Sequence, residues 1–291
     1  MTVSIELQAR FDEQANIDYA HQMEKEGIHL VFGVQGLKVH SKTCIIEREE
    51  HKKIKRYGFI STGNFNESTA RIYTDYTLFT ANQSLLKDID KVFSFFETNY
   101  QIFKYKHIIT SPHYTQRALF NLIDNEIYNV KRGRPGYIRV KINSISSYNM
   151  VDKLYEASNA GVKIQMIVRG ICCLIPGVKG MSENIEVISI VDKFLEHSRL
   201  YVFGNNNNPN IYISSADWMT RNIENRVEVT CPIYDENIKQ ELLDTFDISW
   251  NDNVKARLLN ASQQNEYKKN NKKKTRSQIA IYDYYSKKLE N

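Results

Sequence analysis

The chain has 291 residues, of which 42% are hydrophobic, and a formal net charge of +5 at pH 7. That length exceeds what one hydrophobic core usually organises, so we predict two domains of similar size. No apolar run approaches the roughly 18 residues that a membrane-spanning helix needs, and no secretory leader is recognisable. The four cysteines lack CxxC or zinc-ligand spacing, which argues against a disulfide framework and a structural metal. We therefore predict a soluble, cytoplasmic protein. Peripheral association with the inner face of the membrane is the alternative location.

The first hundred residues show alternating strand and helix patterns. Strands are predicted for VSIELQARFDE, IHLVF, LKVHSKTCII, RYGFIST and YTDYTLFT. One helix runs from an N-cap at Asp12 to Glu26, and SLLKDIDKVFSFFE forms another with apolar residues at helical spacing. In LKVHSKTCII, a period of two places four residues on one strand face: Lys38, His40, Lys42 and Cys44.

The pattern loosens between residues 100 and 113 and then begins again. A new helix opens at Ser111-Pro112, followed by GYIRVKI, a helix over 148–160, further strands, and a closing helix near 236–248. These strands are VKIQMIVR, IEVISI, HSRLYVF, IYISS and RVEVTCPI. We predict an α/β fold with mixed sheets, in two domains over residues 1–106 and 107–291. The second domain ends in a basic tail, which suits either a solvated segment or a polyanion contact: Lys268, Lys269, Lys272, Lys273, Lys274 and Arg276.

A weak internal duplication falls on polar residues that strand propensity alone would not select. The triplet HSK at residues 40–42 matches HSR at 197–199, and a strand running into a polar turn follows each triplet. Upstream, Arg10 and Arg169 each end an apolar strand, 30 residues before His40 and 28 residues before His197. Each half therefore offers an arginine, a histidine and a second cation.

This set of side chains suits phosphoryl transfer. A neutral imidazole can accept a phosphoryl group covalently, and a second histidine can act as a general acid or base. Cations neutralise the non-bridging oxygens, so we predict that Lys42 and Arg199 contact phosphate. Weaker candidates for orienting the imidazoles follow in the polar turns: Asn64, Asn66 and Asp217.

These motifs resemble two nested families. A duplicated H-x-K followed by a Gly/Asn turn is similar to the phospholipase D superfamily. The closer resemblance is to type-1 polyphosphate kinase and covers essentially the whole chain, in ARFDEQANI, GLKVHSKT, STGNFNESTARIYTDYTLFTA, ISIVDKFLEHSRLYVF, SSADWMTRNIENRVEV and QIAIYDYY. It implies two phospholipase D-like α/β domains with mixed sheets, related by pseudo-twofold duplication, the first truncated at its N-terminus.

The resemblance to the kinase also implies an activity. It implies reversible transfer of the terminal phosphate of ATP to inorganic polyphosphate through a phosphohistidine, with ADP as the other product and with Mg²⁺. It further implies a homodimer or homotetramer of the full-length protein. Nucleic acid is not an expected partner, and no integral membrane segment is expected.

Motif matching assigns roles to five residues. His40 falls on the phosphorylated histidine, and His197 falls on the second active-site histidine, which we interpret as acid/base or phosphate-positioning. Tyr73 and Arg169 fall on nucleotide-contacting positions, and Arg10 falls on a position associated with magnesium and phosphate. Because a protonated guanidinium has no lone pair for a metal, Arg10 is interpreted as a phosphate contact beside the ion.

Two alternatives remain open at this stage. A phospholipase D-like phosphodiesterase or nuclease would also use a histidine nucleophile, although Glu47 and Glu49 lie in a charged hairpin rather than in a site. A fragment that only binds polyphosphate is the second alternative.

Members of the kinase family are much longer, so we expect a fragment with the reactive histidines, an incomplete nucleotide site and little activity alone.

Overall fold

A computed structural model of the chain describes residues 1–6 and 13–290. The stretch 7–12, with Arg10 and the predicted N-cap Asp12, lies outside the described residues. The first half contains β1 (Thr2–Ile5), α1 (Glu13–Lys25), β2 (His29–Phe32), β3 (Lys38–Val39), β4 (Lys42–Glu50), β5 (Lys53–Ser61), α2 (Glu67–Ala70), β6 (Tyr73–Thr74), β7 (Thr77–Thr80) and α3 (Gln83–Glu97).

The second half is built around one large mixed sheet. Its elements are β8 (Ile109–Ser111), α4 (Thr115–Lys131), β9 (Tyr137–Ile142), α5 (Tyr148–Asn159), β10 (Lys163–Val168), β11 (Ile185–Ile190), β12 (Leu195–Glu196), β13 (Leu200–Phe203), β14 (Asn210–Ser214), α6 (Thr220–Glu224), β15 (Arg226–Pro232), α7 (Glu236–Trp250), β16 (Ala256–Leu259) and α8 (Ser277–Glu290). The sheet order is β16-β11-β10-β9-β13-β14-β15-β3, with β8 also paired to β15.

Strand connectivity repeats between the halves. Parallel strands come first, β1 with β2 and then β9 with β10 and β11. An antiparallel meander follows in each half, β4-β5-β7 and then β13-β14-β15. This repetition is what a duplicated α/β fold predicts. The division at residue 106 stays a prediction.

The two halves are joined by strand pairing and by a shared core. Strand β3 pairs in parallel with β15, and β6 pairs in parallel with β12. One hydrophobic cluster includes Ile60 and Ile89 from the first half together with Ile213, Val229 and Phe246 from the second. Because these side chains exclude water together, the halves depend on each other for stability.

The predicted strand LKVHSKTCII is wrong as a single element. It divides at His40 and Ser41, whose backbone N–H groups both donate to the carbonyl of Val227 at 3.0 Å. Strand β3 therefore pairs with β15, whereas β4 pairs with β5. Because the chain changes sheets at His40, the period of two does not continue from Lys38 to Cys44.

The basic tail is only partly solvated. Lys268 lies over the ring of Trp250 at 4.7 Å, and Arg276 bonds Asp192. Four of the six cationic residues are exposed: Lys269, Lys272, Lys273 and Lys274. Within the described ranges, no helix has the length and apolar character needed to cross a bilayer.

Because the two halves share one hydrophobic core, we predict that a destabilising substitution in the first half also destabilises the second. Ile89 on α3 is fully buried, so Ile89→Ala should lower the free energy of unfolding by about 2–5 kcal/mol. Both tryptophans, Trp218 and Trp250, lie in the second half, and their fluorescence in a urea titration reports the loss there. Ile54→Ala is the matched control, because Ile54 is 66% exposed and should change stability by less than about 0.5 kcal/mol. An unchanged tryptophan midpoint in Ile89→Ala would show that the halves unfold independently.

Candidate active site

His40 lies at the break between β3 and β4, facing the second half. Its Nδ1 is 2.9 Å from Oε2 of Glu228 on β15, a side chain that is 1% exposed. Asn222 Nδ2 donates to the other oxygen of Glu228 at 2.6 Å, and the hydroxyl of Ser215 donates to Oε2. A carboxylate held in this way selects the tautomer of His40 that carries its proton on Nδ1, which leaves the Nε2 lone pair available.

Charge and burial keep the His40 imidazole neutral. Burial lowers the pKa of His40 to about 4, and Lys42 and Arg199 act in the same direction against the opposing effect of Glu228. Although burial favours its neutral form, the hydrogen bond with His40 and the charge of Lys42 help to hold the pKa of Glu228 below its ordinary value. At pH 7 the pair is therefore a neutral imidazole beside an ionised carboxylate.

His197 has the same arrangement with the roles of the halves exchanged. Its Nδ1 lies 2.9 and 3.0 Å from the two carboxylate oxygens of Asp75, which follows β6 in the first half. Thr62 Oγ1 donates to Asp75 Oδ1 at 2.6 Å, and a Cβ added to Gly63 would meet Asp75 Oδ2 at 1.9 Å. The glycine of the STGN motif is thus needed for the carboxylate to reach its place. Burial lowers the pKa of His197 while Asp75 opposes the shift.

Each imidazole is therefore held by an acid from the opposite half. Neither acid was predicted from the sequence, although the repeat contains a signal for both. Asp75 follows His40 by 35 residues (75 − 40), and Glu228 follows His197 by 31 (228 − 197), so each acid occupies a matching place in the repeat. The predicted orienting residues act elsewhere: Asn66 caps α2 by accepting from Thr69 N–H.

Asp217 orients an arginine rather than a histidine. Its carboxylate accepts from Nε and one terminal nitrogen of Arg199 at 3.3 and 3.1 Å, and from Asn143 N–H at 2.8 Å. The other terminal nitrogen of Arg199 donates to the carbonyl of Thr62 at 3.0 Å and lies 3.2 Å from His197 Nε2. Because it is 3% exposed, Arg199 is a fixed buried cation between the two halves.

Of the remaining sequence candidates, Tyr73 and Arg169 lie near His197, whereas Asn64 does not. The ring of Tyr73 lies 5.0 Å from the His197 ring, centroid to centroid. Arg169 donates from Nε and a terminal nitrogen to Asn143 Oδ1 at 3.0 and 2.9 Å, and Asn143 Nδ2 donates to the His197 carbonyl at 3.3 Å. Asn64 is exposed and lines a separate cavity of about 550 Å³ beside α1 and α2.

No carboxylate-rich metal cage is present in the part of the chain that the structure describes. Residues 1–6 and 13–290 contain no group of three or more His, Cys, Asp or Glu side chains that could hold a metal ion. The two acids nearest the histidines are each committed to an imidazole. These side chains alone therefore do not fit a magnesium site.

Two family models match this chain in sequence. Residues 1–102 match "Polyphosphate kinase C-terminal domain 1", and residues 108–278 match "Polyphosphate kinase C-terminal domain 2". The chain belongs to the polyphosphate kinase family. The resemblance seen in the sequence motifs is thereby confirmed.

Full-length members of the polyphosphate kinase family are similar along nearly the whole chain. The Vibrio parahaemolyticus polyphosphate kinase is 50% identical over 285 residues, which are 98% of this chain and 41% of that protein. The Escherichia coli K12 polyphosphate kinase is 46% identical over the same share of each chain. This chain thus spans about two fifths of the length of the curated relatives it matches.

Solved structures support the same relationship. The polyphosphate kinase of Porphyromonas gingivalis superposes with a TM-score of 0.92 at 41% identity, over 100% of this chain and 44% of that one. Phosphatidylserine synthase of Haemophilus influenzae superposes with a TM-score of 0.55 at 9% identity, over 99% of this chain and 88% of that one, which shows the fold alone. The predicted α/β fold with mixed sheets is confirmed.

The lowered pKa of His40 predicts a pH dependence of stability. Below pH 6.5 the unfolded chain binds a proton on this residue that the folded chain does not bind until about pH 4. Stability is therefore lost as the pH falls, and His40 should account for about 2 kcal/mol between pH 7 and pH 5. Urea titrations at both pH values should show a smaller loss in His40→Gln than in the wild type. Equal losses in the two proteins would mean that His40 titrates normally.

Proposed function

We propose that this chain carries the phosphoryl-transfer centre of an ATP:polyphosphate phosphotransferase, with His40 as the residue that becomes phosphorylated. The observation that carries the proposal is the 2.9 Å contact between His40 Nδ1 and the buried Glu228, in surroundings whose burial lowers the pKa of the imidazole. The relatives named polyphosphate kinase are more than twice as long, so their activity is a proposal for this chain.

The transfer would proceed in two displacements. The Nε2 lone pair of His40 attacks the γ-phosphorus of ATP, the bond from that phosphorus to the bridging oxygen breaks, and ADP leaves. A terminal oxygen of polyphosphate then attacks the same phosphorus, and the N–P bond breaks to restore neutral His40. The proton on Nδ1 stays beside Glu228, whose charge balances the positive ring during both steps. Either direction uses the same atoms.

Lys42 is the candidate phosphate contact that the contacts support best. Its Nζ donates to the His40 carbonyl, and none of the ion pairs between described residues includes it. Burial lowers the pKa of Lys42 to about 7, so an arriving phosphate oxygen would favour its charged form. Arg199, Arg169, Tyr73 and His197 form the rest of the proposed ATP and phosphate contacts, whereas Arg10 lies outside the described residues.

Several finer expectations stay proposals. A magnesium ion, implied by the family resemblance, would take most of its ligands from phosphate oxygens and water, because the described side chains build no cage for it. No step above is assigned to it. Homo-oligomerisation and a cytoplasmic location are likewise proposed, and polyphosphate rather than nucleic acid is the proposed polyanion.

Labelling tests whether His40 is the nucleophile. Incubation with γ-³²P-ATP and Mg²⁺ should give acid-labile, alkali-stable label on the wild type, and His40→Ala should abolish it. His51→Asn is the matched control, since His51 lies exposed at the β4–β5 turn with φ 52°, a conformation that asparagine tolerates. Label that persists in His40→Ala would refute the assignment.

A chase separates the kinase from its rivals. Addition of ADP to the labelled protein should return labelled ATP, as a reversible phosphotransferase requires. Release of inorganic phosphate alone would favour a hydrolase of the phosphodiesterase type. Binding of polyphosphate without any label on the wild type would favour the binding-fragment alternative.

Glu228→Gln should slow phosphorylation of His40 roughly 10²- to 10⁴-fold. An amide keeps the shape of the side chain but cannot balance the charge on the ring or enforce its tautomer. The initial rate of label incorporation measures the effect. Glu224→Gln, on the exposed face of neighbouring α6, should retain the wild-type rate. Equal rates in Glu228→Gln and wild type would remove Glu228 from the mechanism.

A further inference from the structure

The His197–Asp75 pair is held by a very short strand ladder. In the parallel pairing of β6 with β12, Leu195 lies opposite Tyr73 and Glu196 opposite Thr74. Asp75 and His197 are the next residues on the two strands. His197 N–H donates to the Thr74 carbonyl at 3.3 Å. Two residue pairs are too few to be stable alone, so the ladder must be supported from outside.

The side chain of Gln278 on α8 supports β12 as a neighbouring strand would. Its Oε1 accepts from Phe194 N–H at 2.9 Å, and its Nε2 donates to the Phe194 carbonyl at 2.8 Å. The same Nε2 also donates to Glu196 Oε1, with 2.7 Å between the nitrogen and the oxygen. A primary amide can satisfy both polar groups of one residue in this way because it carries a donor and an acceptor side by side.

Glu196 connects this support to the interior. Its Oε2 lies 2.6 Å from Nζ of Lys141, and both side chains are 5% exposed. Thr74 Oγ1, on the opposing strand, lies 3.4 Å from the same oxygen. A buried carboxylate is destabilising unless its oxygens accept hydrogen bonds or ion pairs. The hydrogen bond from the Gln278 amide therefore helps to keep Glu196 in place.

A second contact fastens the same segment to the start of α8. Arg276 donates from Nε and a terminal nitrogen to the two oxygens of Asp192 at 2.8 and 2.6 Å, and the Asp192 side chain is 1% exposed. The backbone N–H of Ser277 donates to Asp252 Oδ2 at 2.7 Å, which anchors the helix start to the body of the second half. The segment Asp192–Glu196 is thus clamped at both ends.

We propose that Arg276 and Gln278 are positioning residues for His197: they hold the segment Asp192–Glu196 against β6 and so fix the imidazole beside Asp75. The kinetic consequence rests on the proposed function, whereas the geometric consequence does not. Neither residue touches the imidazole, so both act through the backbone and Glu196.

Two charge-conserving variants test this clamp, by which we mean the contacts of Arg276 with Asp192 and of Gln278 with Phe194 and Glu196. Gln278→Met keeps the length of the side chain and removes its three hydrogen bonds, and Arg276→Lys keeps the charge but cannot form the two-pronged contact. Gln240→Met is the matched control, because exposed Gln240 on α7 also donates to a carboxylate, that of Asp244, at 2.8 Å. Neither variant changes the net charge near His197, so electrostatics alone cannot produce a shift.

The primary measurement is the pKa of each imidazole by histidine side-chain NMR, with assignments from His197→Gln and His40→Gln. Burial is the main cause of the lowered pKa of His197, with Asp75, Arg199 and Lys42 as its charged neighbours. Loosening the clamp exposes the ring, so its pKa should rise toward the ordinary value while that of His40 stays unchanged. In labelling assays we expect a roughly 10- to 100-fold lower rate constant with an unchanged KM for ATP.

The outcomes distinguish failure of the clamp from failure of the proposed kinase function. A rise confined to His197 supports the clamp even if the wild type takes no label, in which case only the proposed kinase function fails. An unchanged His197 pKa in folded Gln278→Met and Arg276→Lys overturns the clamp, and so does an equal shift of both histidines, which indicates general loosening. If a thermal melt shows that Gln278→Met does not fold, Arg276→Lys decides, because Arg276 is 39% exposed and less costly to change.

Discussion

The exchange of carboxylates between the two halves is the constraint on which the active site depends. His40 of the first half is held by Glu228 of the second, and His197 of the second is held by Asp75 of the first. Neither His40 nor His197 takes this carboxylate from its own half. The strand pairings β3 with β15 and β6 with β12 lie immediately beside these contacts, so the sheet register and the side-chain geometry fix each other. Function and folding of the halves are therefore coupled through the same few residues.

Burial of the histidines has a chemical consequence that exposure would not give. A buried imidazole loses its affinity for a proton, and the flanking cations Lys42 and Arg199 strengthen that effect. The opposing carboxylates act in the other direction but also fix the tautomer. The balance leaves both rings neutral near pH 7. The Nε2 lone pair of His40 stays available, whereas Nε2 of His197 lies 3.2 Å from a terminal nitrogen of Arg199. Burial and the nearby cations thus keep the imidazoles neutral, whereas the carboxylates orient them.

The sequence predicted the family, the fold class and the order of most elements, because strand and helix periods in this chain are clear. It also predicted His40 and His197 as the two active-site histidines, because the repeated triplet is visible without coordinates. It could not predict the break between β3 and β4, because that break depends on a carbonyl, that of Val227, almost two hundred residues away. Asp75 and Glu228 each act on the histidine of the opposite half, and only their matching places in the repeat indicated them. Orienting roles were predicted instead for Asn66 and Asp217, whose partners are Thr69 and Arg199.

The buried charges around the two histidines fit the proposed catalysis better than a stabilising role. An ion pair such as Lys141–Glu196 or Arg199–Asp217 gains little over apolar packing, since desolvation offsets most of the attraction. Clustering several such pairs in one region makes sense where charge must be fixed before a substrate arrives, because prearranged dipoles and ions need no reorganisation during reaction. Lys42 differs from its neighbours in having a carbonyl rather than a carboxylate as partner. No ion pair within residues 1–6 and 13–290 includes Lys42, and an anion bound beside it would supply one, which agrees with the proposed phosphate-bearing substrate.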